Sequence, residues 1–194
     1  TIIKKEKPEI IFHLAAQAIV SKSFTDPLET YSTNSFGTLN ILDSLRTLNN
    51  KCNAVFITSD KTYKNNEWVW GYRENDTLGG EDPYSSSKSI ADILIDSYYK
   101  NYFKNTKNIK VVATRAGNVI GGGDWSNDRI IPDCIRNLEA GKPIELRNPS
   151  ATRPWQHVLE PLSGYLTLAK KLHDSPATWN GSWNFGPKSS EVRN

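Results

Sequence analysis

The stretch AVFITSDK, residues 54–61, is a nearly continuous apolar run that ends abruptly in a serine, an acid and a lysine. A short run without polar alternation is typical of a strand buried on both faces, as in a parallel sheet. Two similar runs, EIIFHLAA (residues 9–16) and KVVATRAG (residues 110–117), predict two further strands of this kind. The chain therefore has at least three candidate strands for one sheet.

Two amphipathic segments separate these runs and predict helices. Asp26 and Pro27 supply an N-cap and a first-turn proline, Glu29 stands at the capping-box position, and the pattern continues to about Leu48. Residues 82–83 repeat the start signal before the second helix. One face of that helix carries the apolar residues Ile90, Ile93, Leu94 and Tyr98. Alternating strands and helices predict an α/β fold with βαβ units and a parallel sheet.

Composition excludes several classes of function. The 194 residues are 37% hydrophobic, enough for a core, and 24 Lys and Arg against 21 Asp and Glu leave a net charge of +3 with no basic stripe. Neither nucleic acid nor a membrane is predicted as a partner, since no apolar run approaches the roughly 18 residues of a membrane span. Cys52 and Cys134 have no CxxC spacing, so no metal site is predicted and a reducing cytoplasm fits.

The candidate functional residues follow the three strands, at residues 15–17, 59–61 and 116–118. Ligands of open parallel sheets bind beyond the carboxyl ends of the strands, so these segments should line one crevice. The loop after the second strand, TSDKTYKNNEWVWGYRE (residues 58–74), is rich in aromatic residues. It is either a surface loop that packs on itself or a wall of the pocket.

Tyr84 and Lys88 stand at i and i+4 near the start of the second helix, on the same face. A lysine ammonium and the positive helix end would lower the pKa of the phenol and let it act as a base. The alternative for this pair is a solvated helix face.

The ordered strings HLAAQ, TSDK, YSSSK and RAGNVIGGGDW resemble the extended short-chain dehydrogenase/reductase family, and within it the nucleotide-sugar 4,6-dehydratases. The strings WVWGYREND, GNVIGGGDW and RNPSATRPWQHVLEPLSGYL (residues 147–166) resemble the branch that acts on CDP-glucose. The resemblance implies a Rossmann-like, doubly wound parallel sheet with a small C-terminal substrate-binding part, NAD as cofactor and CDP-glucose as substrate. It also implies a cytoplasmic enzyme of deoxysugar and lipopolysaccharide O-antigen biosynthesis, a homodimer or dimer of dimers through the two long helices.

The resemblance assigns a role to each matching catalytic residue. Tyr84 would take the proton from the hydroxyl on carbon 4, Ser59 would hydrogen-bond the same oxygen, and Lys88 would hold the nicotinamide ribose and lower the pKa of Tyr84. Asp60 would protonate the departing hydroxyl of carbon 6. Lys61, where dTDP-glucose relatives usually have glutamate, would remove the proton at carbon 5. Both Asp60 and Lys61 reach the sugar only if the strand has already ended in a turn, which we expect.

Further residues are predicted to bind ligands. Small residues after the first strand let a cofactor approach the backbone, and guanidinium groups are the best partners for a diphosphate. The predicted cofactor-binding residues are Leu14, Ala15, Ala16, Gln17, Asn34, Thr58, Tyr84, Lys88 and Arg115. The predicted substrate-binding residues are Asn118, Trp125, Arg129 and Arg153.

The dinucleotide fingerprint GxGxxG, expected in the first turn of such a fold, is absent from the sequence, and so is methionine. We therefore expect a fragment that lacks the N-terminal strands and the C-terminus. Residues 1–120 would form the later part of the NAD-binding domain, and residues 121–194 a mixed region with nucleotide-sugar-binding segments.

Two alternatives to a dehydratase stay open. A nucleotide-sugar 4-epimerase or reductase would keep the fold and the cofactor but would not need the Asp60–Lys61 pair. A non-catalytic NAD-binding or scaffolding protein would not need Ser59, Tyr84 and Lys88 to be intact.

Overall fold

A computed structural model describes residues 2–146 and 148–188. Arg147, the first residue of one quoted string, and residues 189–194 of the predicted mixed region lie outside this part. The strands are β1 (Ile10–His13), β2 (Cys52–Ile57), β3 (Ile109–Ala116), β4 (Val119–Ile120), β5 (Gln156–His157) and β6 (Gly181–Phe185). Four of them form a parallel sheet in the order β1-β2-β3-β6, and β4 pairs with β5. All three predicted strands are confirmed, the first of them shorter than predicted.

Helices connect and cover the sheet. They are α1 (Ile2–Glu6), α2 (Val20–Thr25), α3 (Pro27–Tyr31), α4 (Gly37–Arg46), α5 (Pro83–Tyr98), α6 (Ile130–Glu139), α7 (Leu159–Asp174) and α8 (Pro176–Trp179). A π-helical turn, Ser32–Phe36, joins α3 to α4, and another, Tyr99–Phe103, extends α5. Both predicted long helices are therefore confirmed. Within the described ranges, none of the helices combines the length and apolar character that a membrane span requires.

The predicted helix starts are confirmed at the level of atoms. The Asp26 carboxylate accepts a hydrogen bond from the Glu29 backbone N–H at 3.0 Å, and the Asp82 carboxylate accepts one from the Ser85 N–H at 2.9 Å. Each satisfies a backbone donor that a helix N-terminus otherwise leaves unpaired.

The core lies on both faces of the sheet. Side chains of α4 and α5 pack on one face around Phe56 and Val111, and side chains of α7 pack on the other around Val55 and Val112. Helices on both faces make the sheet doubly wound, which confirms the predicted Rossmann-like fold class. β6 comes from the region predicted to be mixed, yet it completes this sheet beside β3. The boundary near residue 120 stays a prediction.

The inward face of α5 differs from the one its apolar residues predict. The buried residues are mostly small or polar and include Ser87, Lys88, Ala91 and Asp92, whereas Ile93 is 53% exposed and Ile90 is 38% exposed. The amphipathic pattern thus identified the helix but only part of its core face, because Leu94 and Tyr98 pack against the core and Ile90 and Ile93 do not. Polar side chains turn inward here because they hydrogen-bond to the ends of the strands, as shown below.

Helix α7 approaches the sheet closely at Gly164. A Cβ atom at this position would lie 2.6 Å from Cδ1 of Phe185 and closer still to Cε1. We expect Gly164→Val to lower the free energy of unfolding of the intact protein by about 1–3 kcal/mol, since overpacking forces neighbours out of place. Gly71→Val is the matched control, because no heavy atom lies within 4 Å of its Cβ position. Urea denaturation measures both, and equal effects would contradict the close approach.

Candidate active site

The chain turns sharply after β2, at the predicted catalytic residues. A 3₁₀ turn, Asp60–Thr62, begins directly after Ser59, whose hydroxyl accepts a hydrogen bond from the Lys61 N–H at 3.2 Å. The same hydroxyl donates to Asp60 Oδ1 at 3.2 Å. The expectation that the strand has ended in a turn is therefore confirmed.

Tyr84 lies in the first turn of helix α5, next to Ser59 and Asp60. Burial raises the pKa of its phenol, and a hydrogen bond to Ser59 and the charge of Arg129 lower the pKa by less. The prediction that this pKa is lowered is therefore wrong for the chain as described. The physical reason is desolvation, which disfavours the phenolate.

Lys88 lies one turn further along α5 and is only 6% exposed. Its Nζ donates to the carbonyl of Ile57 at 3.3 Å, at the end of β2. Burial lowers its pKa to about 8, partly opposed by the charge of Asp92. Its charge in turn lowers the pKa of His13 at the end of β1, where burial is the larger cause. Lys88 therefore belongs to the strand ends and not to a solvated helix face.

Asp60 is half-buried, and burial raises the pKa of its carboxyl more than Lys61, Ser59 and Arg153 lower it. A raised pKa suits a group that must hold a proton before it gives it away. A Cβ atom at Gly117 would collide with Pro154 Cγ and lie 3.2 Å from Asp60 Oδ2, so glycine lets Pro154 pack closely beside Asp60. Lys61 itself is exposed.

The loop after β1 is held by its neighbours. The Gln17 N–H donates to Asn34 Oδ1 at 2.8 Å, while Asn34 Nδ2 donates to the Gln17 carbonyl at 3.0 Å and to Ser87 Oγ at 2.9 Å. The Gln17 side chain bonds Ile19 and Thr30. Both side chains shape the loop, so contact of their own amides with a cofactor stays only a prediction. Leu14 and Ala15 are exposed, and Ala16 is half-buried.

Arg115, predicted to bind the cofactor, has its whole guanidinium group engaged within the protein, so a cofactor contact through this side chain finds no support here. It is 4% exposed, and all five of its N–H donors are used within the protein. The acceptors are Asp92 Oδ1 and Oδ2, Tyr63 Oη, the Glu74 carbonyl and Ser182 Oγ, at 2.7–3.1 Å. None of its N–H groups is left for a phosphate or ribose oxygen. Thr58 is likewise buried, with its hydroxyl 2.8 Å from Asp92 Oδ2.

The predicted substrate residues fall into two groups. Arg129 and Arg153 act electrostatically on Tyr84 and Asp60 respectively, so the structure brings both cations to the catalytic pair. Asn118 is half-buried just beyond β3, and its carbonyl accepts from the Gln156 N–H at 3.1 Å. Trp125 is 58% exposed, and nothing in the described residues ties its ring to the site.

The aromatic loop packs mostly on itself. Ring centroids of Trp68 lie 5.5 Å from Trp70 and 5.2 Å from Tyr72, and Tyr72 stacks on Tyr63 at 5.1 Å. The self-packing interpretation is therefore confirmed for this cluster.

The side chains that the structure brings together here carry hydroxyl, carboxyl and ammonium groups. Within residues 2–146 and 148–188, no three His, Cys, Asp or Glu side chains group together as metal ligands, and both cysteines are free thiols.

Comparison with known proteins identifies the family. The model of the family described as GDP-mannose 4,6 dehydratase matches residues 1–180. The chain belongs to this family. A curated relative, CDP-glucose 4,6-dehydratase of Salmonella typhimurium, is 50% identical over 98% of the chain and 54% of its own length. The dTDP-D-glucose 4,6-dehydratase of Dictyostelium discoideum is 28% identical over 88% of the chain and 40% of its own length. The chain spans about half the length of the curated relatives it matches.

Solved structures of similar proteins carry the same fold. The dTDP-glucose 4,6-dehydratase of Bacillus anthracis, in complex with NAD, matches with a TM-score of 0.76 and 25% identity, over 100% of this chain and 55% of that one. A UDP-glucuronic acid 4-epimerase of Bacillus cereus, with UDP-glucuronic acid and NAD, has a TM-score of 0.82 and 21% identity, over 100% of this chain and 58% of that one. The second likeness concerns the fold alone.

Sequence reasoning missed the buried side chains behind this candidate site, chiefly Asp92 and Tyr63. One signal could have found Asp92, because it follows Lys88 by four residues and so lies on the same helix face. Tyr63 gave no such signal, since its partners lie far away in sequence.

The lowered pKa of Lys88 is measurable. A pH titration of the intact protein, followed by NMR, should give a pKa near 8 for Lys88 in place of the ordinary 10.5. Between these values the unfolded chain binds the proton that the folded one has released. The contribution of Lys88 to the free energy of unfolding should therefore rise with pH across this window. Lys88→Arg assigns the resonance by removing it, and a titration midpoint near 10.5 would contradict the burial of Nζ.

Proposed function

We propose that the protein containing this chain converts CDP-glucose to CDP-4-keto-6-deoxyglucose with loss of water, using NAD. The observation that supports the reaction is the meeting of Ser59, Asp60 and Tyr84 at the end of β2. Support for the substrate comes from the 50% identity with a relative named CDP-glucose 4,6-dehydratase.

The residues at the ends of β1 and β2 fit a nicotinamide dinucleotide. Of the three N–H donors of the buried Lys88 ammonium, one is directed to Ile57 in the described part of the chain, which leaves two for ribose hydroxyls. Exposed Leu14 and Ala15 offer a backbone edge to the dinucleotide. NAD, when bound, supplies the acceptor for the hydride of carbon 4 and its source for carbon 6.

In the first step, Tyr84 takes the proton of the carbon 4 hydroxyl. The phenol first releases its own proton to solvent, a step that burial disfavours and that the hydrogen bond to Ser59 and the charge of Arg129 favour, and the resulting phenolate is a strong base. Ser59 has a single O–H, which in this structure donates to Asp60 Oδ1 at 3.2 Å, and it would rotate to the substrate oxygen when the sugar binds.

In the second step, the new carbonyl at carbon 4 acidifies the proton at carbon 5. Lys61 removes that proton, and Asp60 gives its own proton to the leaving hydroxyl of carbon 6. The raised pKa of Asp60 keeps this proton available until elimination. Lys61 and Asp60 are neighbours in one turn, and Lys61 is exposed whereas Asp60 is half-buried. We propose that the base therefore approaches carbon 5 from the open side and the acid approaches carbon 6 from the buried side.

Arg129 and Arg153 are the proposed partners of the diphosphate, with Asn118 and Trp125 beside the sugar and base. Guanidinium groups pair bidentately with phosphate oxygens, and the charges of Arg129 and Arg153 already act on Tyr84 and Asp60 respectively. A diphosphate between them would lie next to the reacting sugar.

We also propose that two copies pair through the long helices, in the cytoplasm. Exposed apolar side chains on these helices, including Phe36 and Ile93, support the pairing. Burial against a second copy would remove this surface from water.

The intact protein, incubated with CDP-glucose and NAD, should release a product lighter by one water in mass spectrometry. A product of unchanged mass would indicate an epimerase, and absence of turnover would indicate a non-catalytic protein. dTDP-glucose serves as the matched control for the nucleotide, and we expect much slower turnover with it.

Substitutions should separate oxidation from elimination. Asp60→Asn and Lys61→Ala should slow loss of water by about 10²–10⁴-fold and still allow some reduced cofactor to form, because only the second step needs them. Tyr84→Phe should abolish both signals with substrate binding retained. Absorbance of the reduced cofactor and uptake of solvent deuterium at carbon 5 are the measurements. Deuterium uptake at the wild-type rate in Lys61→Ala would assign the carbon 5 base to another group.

A further inference from the structure

Two buried side chains bracket the turn that carries the predicted acid and base. Thr58 precedes residues 59–62 and Tyr63 follows them, and the two are 8% and 5% exposed. The Thr58 hydroxyl lies 2.8 Å from Asp92 Oδ2, and the Tyr63 oxygen accepts from Arg115 Nη1 at 2.8 Å. Both ends of the turn therefore reach the same pair of residues.

Asp92 and Arg115 form a buried, bidentate ion pair. Nε of Arg115 donates to Oδ2 at 2.9 Å and Nη2 donates to Oδ1 at 2.7 Å, with Asp92 1% exposed. A planar fork on a carboxylate fixes orientation as well as distance. Because Asp92 lies on α5 and Arg115 on β3, the packing of helix on sheet sets the position of the pair independently of the turn.

The same pair holds the aromatic loop beyond the turn. Arg115 Nη1 also donates to the Glu74 carbonyl at 2.9 Å, and the Tyr63 hydroxyl donates to Asn184 Oδ1 at 2.7 Å. Asn184 Nδ2 donates to the Tyr72 carbonyl at 2.9 Å, so the loop is tied to β6 as well.

We propose that the buried Asp92–Arg115 pair is the positioning element of the active site, which acts through Thr58 and Tyr63 to hold Ser59 and Asp60 against Tyr84. The role in catalysis rests on the function proposed above. Neither member of the pair needs to touch substrate. The Thr62 carbonyl at the end of the turn also accepts from Ser89 Oγ on α5 and from the Gly79 N–H, each at 2.8 Å, so loss of the two links would loosen the turn without releasing it. Misplacement of a catalytic group by about 1 Å can cost about 100-fold in rate.

Thr58→Val and Tyr63→Phe test the links without changing a charge. Substitution of Asp92 would also change the charge that Lys88 feels, and it could prevent folding. Thr62→Val is the matched control, because this hydroxyl is buried in the same turn and bonds no partner in the described residues.

Hydrogen exchange of the intact protein without substrate is the first measurement. We expect the amides of residues 59–62 to exchange about tenfold faster in Thr58→Val and Tyr63→Phe, with the amides of β2 and β3 unchanged. Thr62→Val should leave all of them as in the wild type. Exchange at residues 59–62 that stays at the wild-type rate, or rises only in step with the whole sheet, would overturn the proposal.

Steady-state kinetics is the second measurement. Each linked variant should lose about tenfold in kcat for water loss with less than a twofold change in KM. The double variant should lose less than the product of the two, since both links act on one turn. An unchanged kcat per folded molecule would overturn the catalytic part. If the wild type removes no water from CDP-glucose, the proposed function fails, and the exchange data still decide the positioning of the turn.

Discussion

The buried ion pair between Asp92 and Arg115 is the constraint on which the rest of this structure depends. It joins α5 to β3 and, through Thr58 and Tyr63, fixes the turn between them. Charges this far from water are tolerated only with close and complete pairing, and loss of one partner typically costs about 3–5 kcal/mol. Here every N–H of the guanidinium has an acceptor. The rigidity of the site therefore originates outside the residues that would react.

Desolvation sets the proton chemistry of the site. It raises the pKa values of Tyr84 and Asp60 and lowers that of Lys88, so each group is shifted toward its neutral form. A neutral carboxyl is a competent acid, and a lysine with a pKa of about 8 changes charge near neutral pH. Burial disfavours the charged form of each group, so the neutral forms of Tyr84, Asp60 and Lys88 are more populated than they would be in water.

The two faces of helix α5 differ in composition and in burial. Lys88 and Asp92 turn inward to the strand ends, where hydrogen bonds compensate for burial, and Ile90 and Ile93 remain on the outer surface. The C-terminal half of the helix keeps an ordinary apolar contact, since Ile95 is buried in the core and Leu94 and Tyr98 pack against it. Its outer apolar face is the kind of surface that a second copy could cover.

The sequence by itself determined the local structure and the place of the site. Capping residues such as Asp26 and Asp82 act within one turn of the chain, and parallel strands bring their carboxyl ends to one edge, so the segment that holds Ser59 and Asp60 could be located from the sequence. The roles predicted for these residues and for Tyr84 came from the family resemblance. Only the tertiary structure decided the partners of Arg115, the direction of the pKa shift of Tyr84 and the inward face of α5. The physical reason is that burial and hydrogen-bond partners depend on segments far apart in the chain, as when Arg115 meets Ser182 across the sheet.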